Sequence, residues 1–461
     1  MGALFGTDGV RGIPGFEPLT VPTVRRLGAV AAAAFLERRG RSGPGEDENA
    51  PCIVLGRDTR RSGERLARSL TQGFADAGCR TLDAGIVPTP AVACLARHYG
   101  AVGGVVVSAS HNPPEFNGIK FFTGEGFKAP PETEEKIERL LRGGGPAPGR
   151  AAARGLSKLL RAREAVREYL DFLRSTFPTM SDLRGLRLVV DGANGAASAI
   201  AGGLFRSLGA EVFEIGCSPD GRNINVGCGA LDTRSMRREV LRRRADCGIS
   251  LDGDADRAVL ADERGRLLNG DVLIAMSAVH LHEKGLLRGD KVVLTVMSNF
   301  GLIRYLRERG IGSIQVPVGD RNVTDAIEES GCCLGGESSG HIVFRRLAPT
   351  GDGLLTALQT LGVLVESGRP MSRFRSLYRS YPQVLRNVRV QERVPLGELG
   401  EFERGLRSAQ KRLSGRGRVF VRYSGTEPLL RILVEGPDRK EVRRISDDLA
   451  RAFADNVSRR R

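Results

Sequence analysis

Tryptophan is absent from this chain, and only 5% of its 461 residues are aromatic. The basic runs, RREVLRRR at 237–244 and the tail at 459–461, carry no interleaved aromatic side chains of the kind that stack on bases. The formal net charge of +16 therefore indicates a solvated basic surface or an anionic small substrate. No nucleic-acid partner is expected.

Long apolar runs are missing as well. The start, MGALFGTDGVRG, has no apolar core typical of a secretory signal. No run reaches the ~18 uncharged apolar residues of a membrane helix. The longest, at 353–365, includes Gln359 and predicts a buried core helix. A cytoplasmic location without a membrane partner is expected.

Paired cysteine motifs are also missing. The eight cysteines are Cys52, Cys79, Cys94, Cys217, Cys228, Cys247, Cys332 and Cys333. None stands in a C-x-x-C pair, and no Cys/His group has zinc spacing. Several lie in apolar stretches, so reduced and mostly buried thiols are predicted.

Three segments, 51–86, 184–216 and 289–319, share one plan. Each opens with a short β-branched run and a polar or Gly-containing loop. A helical stretch closed by Gly and a second short strand follow. This change of period is typical of βαβ units. We therefore predict three related α/β domains with mixed sheets.

The plan changes after about residue 370. The segment 383–391 alternates like a half-exposed strand, and a helix is predicted over 399–413. Strands at 419–422 and 430–435 and a helix at 438–454 complete a smaller C-terminal α+β domain. The Gly/Pro/Ala-rich stretch 143–155 and the stretch 40–51 are predicted to be a linker and an exposed loop. The predicted domains are 1–157, 158–260, 261–372 and 373–461.

Four segments carry groups suited to chemistry. In the first, GGVVVSASHNPPEFNGIKFF at 103–122, a buried-type strand runs into Ser110 and His111. The prolines that follow keep both residues on a loop at a strand end, where ligands bind in α/β sheets. Taken alone, a polar turn explains this loop as well as a nucleophile does. No G-x-S-x-G elbow supports a serine hydrolase.

The second segment is SLDGDADR at 250–257. Asp252, Asp254 and Asp256 recur with period two and point to one side of an extended segment. Three carboxylates suit Mg²⁺ or Ca²⁺ rather than zinc. An EF-hand is disfavoured because Arg257 stands where its loop needs Gly. A surface acidic turn is the remaining alternative.

Two Gly-containing loops are weaker signals. GGESSGH at 335–341 offers donors and acceptors suited to sugar hydroxyls, or a solvated loop. RYSGTEPLLR at 422–431 offers hydroxyls, backbone N–H groups and guanidiniums suited to phosphate, or a capped turn. It lacks the G-x-x-x-x-G-K-[ST] pattern, which excludes a nucleotide P-loop.

Together, and in this order, the four segments resemble the α-D-phosphohexomutase superfamily over essentially the whole chain. FGTDGVRG at 5–12, PDGRNINVGCGAL at 219–231 and QVPVGDRNV at 315–323 are most similar to the branch that acts on glucosamine phosphates. The resemblance implies four domains around a central cleft, each supplying one loop.

The resemblance also implies roles for individual residues. Ser110 is expected to be the phosphoserine, and Asp252, Asp254 and Asp256 are expected to hold one Mg²⁺ together with the Ser110 phosphate. The other expected groups are, for catalysis or charge stabilisation, Arg11, His111, Lys120 and Arg257; for the sugar, Glu337, Ser339 and His341; and for the distal phosphate, Arg422, Ser424, Gly425, Thr426 and Arg431. His111 and Lys120 are the candidate general bases.

The implied reaction interconverts glucosamine 6-phosphate and glucosamine 1-phosphate through a 1,6-bisphosphate, which also serves as activator. The expected partners are a phosphosugar, a homodimer mate, and a kinase or bisphosphate donor that first phosphorylates Ser110. Two departures from the branch stand out, since Ser338 replaces its usual Gln and Ala255 a usual Gly. A phosphomannomutase or phosphoglucomutase is therefore the alternative.

Overall fold

A computed structural model describes most of the chain. The described residues are 4–6, 8–38, 50–143, 162–178, 181–424 and 428–458. They fall into two compact units. The larger comprises residues 1–296 and 313–375, and the smaller comprises residues 297–312 and 376–461. The larger unit contains three β-sheets and the smaller unit one.

The first sheet is a five-stranded mixed sheet. Its elements are β1 (Val10–Gly12), α1 (Val21–Arg38), β2 (Cys52–Arg57), α2 (Gly63–Asp76), β3 (Arg80–Ile86), α3 (Thr89–His98), β4 (Gly103–Val107), β5 (Asn117–Thr123) and α4 (Pro131–Arg142). The strand order is β1-β5-β4-β2-β3, with β2 parallel to β3 and β4, and β5 antiparallel to β1 and β4. Helices α1 and α2 pack closely at Gly28 and Gly73. A Cβ added at Gly73 would lie 2.1 Å from the carbonyl oxygen of Arg25.

The second sheet repeats this arrangement. Its elements are α5 (Ala162–Ser175), β6 (Arg187–Asp191), α6 (Ala201–Ser207), β7 (Glu211–Ile215), α7 (Arg234–Arg243), β8 (Cys247–Leu251), β9 (Ala258–Asp262) and β10 (Leu267–Leu268). The order β10-β9-β8-β6-β7 has the same directions as the first sheet, with a parallel trio followed by an antiparallel hairpin and a short edge strand.

The third sheet has four strands. Its elements in the larger unit are α8 (Gly270–Glu283), β11 (Lys291–Thr295), β12 (Gly312–Val316), α10 (Asp320–Ser330), β13 (Leu334–Gly336), β14 (Ile342–Phe344), α11 (Gly353–Ser367) and α12 (Met371–Arg375). Helix α9 (Phe300–Arg307) lies between β11 and β12 in the sequence but belongs to the smaller unit. The order β12-β11-β13-β14 again ends in an antiparallel hairpin. The predicted set of three related α/β sheets is confirmed.

The smaller unit holds a three-stranded antiparallel sheet. Besides α9 it contains β15 (Gln383–Arg389), α13 (Gly400–Leu413), β16 (Arg418–Tyr423), β17 (Leu429–Glu435) and α14 (Arg439–Ser458). The order is β15-β17-β16. Alternate residues of β15 are half-buried, as the alternating sequence predicts. The predicted C-terminal α+β domain is confirmed.

The thiols and apolar runs also follow the sequence. All eight cysteines are free, with five buried and three half-buried. The apolar run at 353–365 forms most of α11, whose residues are largely buried. Among the described residues, no helix is long and apolar enough to cross a membrane.

A buried tyrosine–carboxylate contact joins α5 to the start of α11. The Tyr169 hydroxyl donates to Asp352 Oδ2 at 2.8 Å, and the Leu355 N–H donates to Asp352 Oδ1 at 3.0 Å. Burial raises the pKa of Asp352 to about 6, although both hydrogen bonds favour the carboxylate. Asp352 thus caps α11, and its burial lowers the stability of the folded protein when the carboxyl is ionised at higher pH.

We predict that Asp352→Asn changes the pH dependence of stability. A carboxyl with a raised pKa in the folded state stabilises fully below its unfolded pKa of about 3.9, and this stability is lost as pH rises through about 6. Raising the pKa of Asp352 from its ordinary value to about 6 corresponds to about 3 kcal/mol. Asparagine still caps the helix but does not ionise. The melting temperature of the variant, relative to the unsubstituted protein, should rise by a few degrees between pH 4.5 and 7.5, whereas parallel pH curves would contradict the assignment.

Candidate active site

The four motifs occupy equivalent places in the four sheets. Each follows a strand that is paired antiparallel with the next strand along the chain, in the hairpins β4–β5, β8–β9, β13–β14 and β16–β17. The loops of the first three hairpins meet within the larger unit. The repeated plan therefore gives each motif one loop at one end of its sheet.

Ser110 lies in the first hairpin loop with its side chain buried. Its φ is 50°, in the left-handed region that residues with a Cβ seldom adopt. Its Oγ donates to Asp252 Oδ2 at 2.6 Å and lies 3.3 Å from His111 Nδ1. Adjacent side chains seldom face each other, yet here the left-handed turn brings these two together. The structure thus places a hydroxyl against the acidic segment 142 residues later.

The three aspartates converge in the second hairpin loop. One oxygen from each of Asp252, Asp254 and Asp256 lies within 4.8 Å of the others, and all three residues are buried. The loop joins two strands, so no helix–loop–helix EF-hand is present in this part of the described chain. Ala255 takes the left-handed conformation, with φ of 56°.

The donor set fits a hard divalent cation. Asp254 Oδ1 and Asp256 Oδ1 are buried without a hydrogen-bond donor among the described residues. Burial, Asp256 and Asp254 together raise the pKa of Asp252 well above its ordinary value, because three close carboxylates repel. Converging carboxylate oxygens with unused lone pairs are what Mg²⁺ requires. The Asp252–Asp254–Asp256 triad therefore fits the expected metal.

Lys120 is a buried cation beside the acidic triad. It lies on β5, with Nζ 2.9 Å from Asp254 Oδ2, 3.1 Å from Asp8 Oδ2 and 3.4 Å from Asp256 Oδ2. Burial alone lowers the pKa of Lys120, but these carboxylates outweigh it and hold the pKa well above its ordinary value. These neighbouring carboxylates thus hold Lys120 in its protonated form.

His111, unlike Lys120, is held in its neutral form. Burial, Arg257 and Arg11 lower its pKa to about 4, so its ring is neutral near pH 7. A neutral imidazole beside the Ser110 hydroxyl can accept a proton. Of the two candidate bases, the electrostatics favour His111.

Further charges surround this centre. Arg11 NH2 lies 2.5 Å from Asp8 Oδ2, and its NH1 donates to Asn112 Oδ1 at 3.2 Å. Lys128 bridges Asp8 and Asp320. A chain of alternating charges thus runs from α10 of the third sheet to Lys120 of the first.

Arg257 and His341 flank the acidic triad. The Arg257 N–H donates to Asp252 Oδ1 at 3.2 Å, and its Nε lies 3.6 Å from Asp256 Oδ1. His341 is buried, with Nδ1 3.8 Å from the same Asp256 oxygen. Burial opposes protonation of His341, but Asp256 outweighs it and raises the pKa. The third hairpin loop therefore borders the second.

Glu337 and Ser339 complete the third loop. Glu337 Oε1 accepts from the Gly319 N–H at 3.0 Å, and Ser339 Oγ donates to Glu337 Oε2 at 3.1 Å. Ser338 accepts a hydrogen bond from the Gly270 N–H through its carbonyl oxygen, at 3.0 Å. The backbone of Ser338 is thus tied to the start of α8.

The fourth loop belongs to the smaller unit. Arg422 and Arg431 stand directly opposite each other on β16 and β17, where like charges repel and favour an anionic ligand. Ser424 is buried and its N–H donates to the Leu429 carbonyl oxygen at 2.8 Å. Gly425 and Thr426 lie outside the described residues.

Several polar residues near Ser110 and the acidic triad were not identified from the sequence. They are Asp8, Asp58, Arg60, Thr89, Ser108, Lys128, Asn225 and Asp320. Thr89 Oγ1, for example, donates to Asp254 Oδ2 at 2.5 Å. Asp8 and Asp320 fall inside the quoted stretches FGTDGVRG and QVPVGDRNV, which offered the only signal for them.

Four domain families match the chain in order. They are described as phosphoglucomutase/phosphomannomutase alpha/beta/alpha domain I at residues 2–145, domain II at 167–265, domain III at 269–381 and the C-terminal domain at 385–452. The matches together span nearly all of the sequence.

Curated relatives match over almost their full lengths. The phosphoglucosamine mutase of Bdellovibrio bacteriovorus is 41% identical over 97% of this chain and 97% of its own. That of Desulforamulus reducens is 43% identical over 98% of this chain and 99% of its own.

Solved structures share the fold. A phosphoglucomutase/phosphomannomutase family protein from Burkholderia thailandensis has a TM-score of 0.80 at 22% identity, covering 98% of this chain and 97% of its own. An Aspergillus fumigatus N-acetylphosphoglucosamine mutase, solved with GlcNAc-6P and magnesium, has a TM-score of 0.67 at 19% identity, covering 98% and 96%.

Proposed function

Since the chain belongs to the phosphoglucosamine mutase family, we propose that it interconverts glucosamine 6-phosphate and glucosamine 1-phosphate through phosphorylated Ser110. The observation that carries this proposal is the 2.6 Å contact between Ser110 Oγ and Asp252, one of three converging buried carboxylates. A buried lysine beside the same carboxylates supplies the positive charge that phosphoryl transfer needs.

The reaction consists of two phosphoryl transfers. In the first, the bond between phosphorus and Ser110 Oγ breaks, and a bond to the free 1- or 6-hydroxyl of the sugar forms. The sugar hydroxyl gives up its proton, and Ser110 Oγ leaves and takes up a proton to become a free hydroxyl. The resulting 1,6-bisphosphate reorients in the site, and its other phosphate is transferred back to Ser110. In the reverse transfer to Ser110, neutral His111, 3.3 Å from Ser110 Oγ, is the better candidate to accept the serine proton.

Positive charge beside Ser110 would stabilise the transferring group. One Mg²⁺ fits Asp252, Asp254, Asp256 and the Ser110 phosphate, and when bound it neutralises charge on the phosphoryl oxygens. Lys120 and Arg257 hold fixed positive charge beside the same carboxylates. These groups act without reorganising during the reaction.

The remaining site residues bind the substrate. Glu337, Ser339 and His341 are proposed to bind the sugar. Arg422, Ser424 and Arg431, with Gly425 and Thr426, are proposed to bind a phosphate of the substrate. A homodimer, and a kinase or bisphosphate donor that first phosphorylates Ser110, are further proposals from the family.

Ser338 favours a second candidate, a phosphomannomutase or phosphoglucomutase. It stands between Glu337 and Ser339, where the glucosamine branch usually has Gln. The test is a mutase assay with Mg²⁺ on glucosamine, mannose and glucose phosphates. A higher kcat/KM for glucosamine supports the main proposal, and a higher value for mannose or glucose supports the alternative.

Glu337→Gln is expected to lower kcat/KM for glucosamine 6-phosphate by about tenfold to a hundredfold, because a charged acceptor becomes a weaker neutral one. The amide still accepts from the Gly319 N–H, so the loop should keep its shape. Steady-state kinetics with the melting temperature as control provide the measurement. An unchanged kcat/KM would remove Glu337 from the sugar site.

A further inference from the structure

Arg60 holds the backbone of the Ser110 loop from beneath. Its NH2 donates to the carbonyl oxygens of Ser110 at 3.1 Å and Asn112 at 2.7 Å. Its NH1 donates to the carbonyl oxygens of Pro113 at 2.5 Å and Phe116 at 3.0 Å. Four loop carbonyls are thus turned toward one buried guanidinium.

A second network anchors this guanidinium. Arg60 Nε donates to Asp58 Oδ2 at 2.9 Å, in an ion pair whose two side chains are fully buried. The Ser108 hydroxyl donates to the same oxygen at 2.6 Å and accepts from the Ser110 N–H at 2.9 Å. All five guanidinium N–H donors are therefore used, and the network also reaches the Ser110 amide.

Asn225, which lies between β7 and α7, contacts the same loop. Its Nδ2 donates to the carbonyl oxygens of Ser110 at 2.9 Å and Asn112 at 3.2 Å, two of the carbonyls that Arg60 holds. Asn225 is itself left-handed, with φ of 61°. At Gly253, in the acidic loop, an added Cβ would lie 2.5 Å from the Ser110 carbonyl oxygen, so only glycine leaves room.

These contacts bear on the strained conformation of Ser110. A left-handed residue with a Cβ costs about 1–2 kcal/mol, and surrounding contacts must impose it. The donors of Arg60 and Asn225 hold the Ser110 carbonyl, while Oγ meets Asp252. The orientation of the nucleophile thus depends on two residues that do not contact its hydroxyl.

We propose that Arg60 and Asn225 are positioning residues for phosphoryl transfer at Ser110. Through Asn225, the segment 219–231 holds the Ser110 loop in place. This inference rests on the proposed function. It gives that segment a task distinct from contact with the sugar, because both hydrogen bonds of Asn225 Nδ2 end on the Ser110 loop.

Asn225→Gly is the cleanest test, since glycine accepts the left-handed backbone and only the amide is lost. We expect kcat to fall about tenfold to a hundredfold, as for a small misplacement of reacting groups, with KM for the sugar phosphate within about twofold. In protein phosphorylated by a sugar 1,6-bisphosphate, the ³¹P resonance of phosphoserine should broaden or split. Arg60→Lys should act in the same direction, because three ammonium donors cannot serve five acceptors.

Asn223→Ala is the matched control. Asn223 lies in the same segment, but its side chain accepts from the Asp220 N–H at 3.0 Å and donates to the Ser218 carbonyl oxygen at 3.0 Å, so these hydrogen bonds stay within the segment. Its kcat and ³¹P resonance should match those of the unsubstituted protein. A folded Asn225→Gly with unchanged kcat, or an equal loss of kcat in Asn223→Ala, overturns the inference. An inactive unsubstituted protein overturns the proposed function instead.

Discussion

Ser110→Ala is expected to lower the mutase kcat by at least about a thousandfold, because the group that carries the phosphoryl is removed. The fold should survive. Serine and alanine both bear a Cβ, so the strain at φ of 50° is common to both. The lost contacts are the hydrogen bonds of the hydroxyl with Asp252 and His111, each worth about 1 kcal/mol.

The measurements are kcat and phosphorylation. After incubation with a sugar 1,6-bisphosphate, intact mass should show one added phosphate on the unsubstituted protein and none on the variant. Ser175→Ala, which alters an exposed helix-terminal serine, should retain full activity. Mutase activity that survives in Ser110→Ala would remove Ser110 from its proposed role. Steady release of inorganic phosphate by the unsubstituted protein would indicate a phosphatase.

Local periodicity predicted the elements closely. The strand expected at 419–422 is Arg418–Tyr423, and the helix expected at 399–413 is Gly400–Leu413. These elements are local, and their apolar spacing is written in the sequence. Assignment of α9 to the smaller unit depends instead on contacts between distant segments, which spacing does not encode.

The acidic triad was predictable for the same reason, since its three members lie within five residues of one another in one hairpin loop. The meeting of Ser110 with Asp252 is long-range, and only the family resemblance anticipated it. No local pattern marks Arg60, because its five bonds end on segments far along the chain or on a carboxylate two residues away.

The protonation state of Lys120 could not be predicted from the sequence. The sequence presents it as a lysine on a strand, equally suited to be a base or a fixed cation. Its protonation is decided by carboxylates of Asp8, Asp254 and Asp256, brought together by folding. Electrostatic roles thus require the tertiary structure even where the motif is recognised.

Asp252→Asn is expected to weaken magnesium binding without destabilising the fold. Asp252→Asn can keep both neighbours by exchanging roles, since Oδ1 accepts from the Arg257 N–H and Nδ2 donates to Ser110 Oγ. It also removes a carboxylate whose pKa is raised well above its ordinary value by burial and by Asp256 and Asp254. Without metal, the variant should therefore be as stable as the unsubstituted protein or more stable.

Magnesium should reverse that order. A ligand at a hundred times its Kd stabilises the folded state by about 2.7 kcal/mol, so saturating Mg²⁺ should raise the melting temperature of the unsubstituted protein by several degrees. Asp252→Asn should gain much less, and its kcat should fall at least about a hundredfold because charge on the transferring phosphoryl is no longer balanced. Asp182→Asn, outside the triad, should keep both the shift and the activity. Equal magnesium shifts in the two aspartate variants would place the metal elsewhere, since only loss of a ligand from the triad separates them.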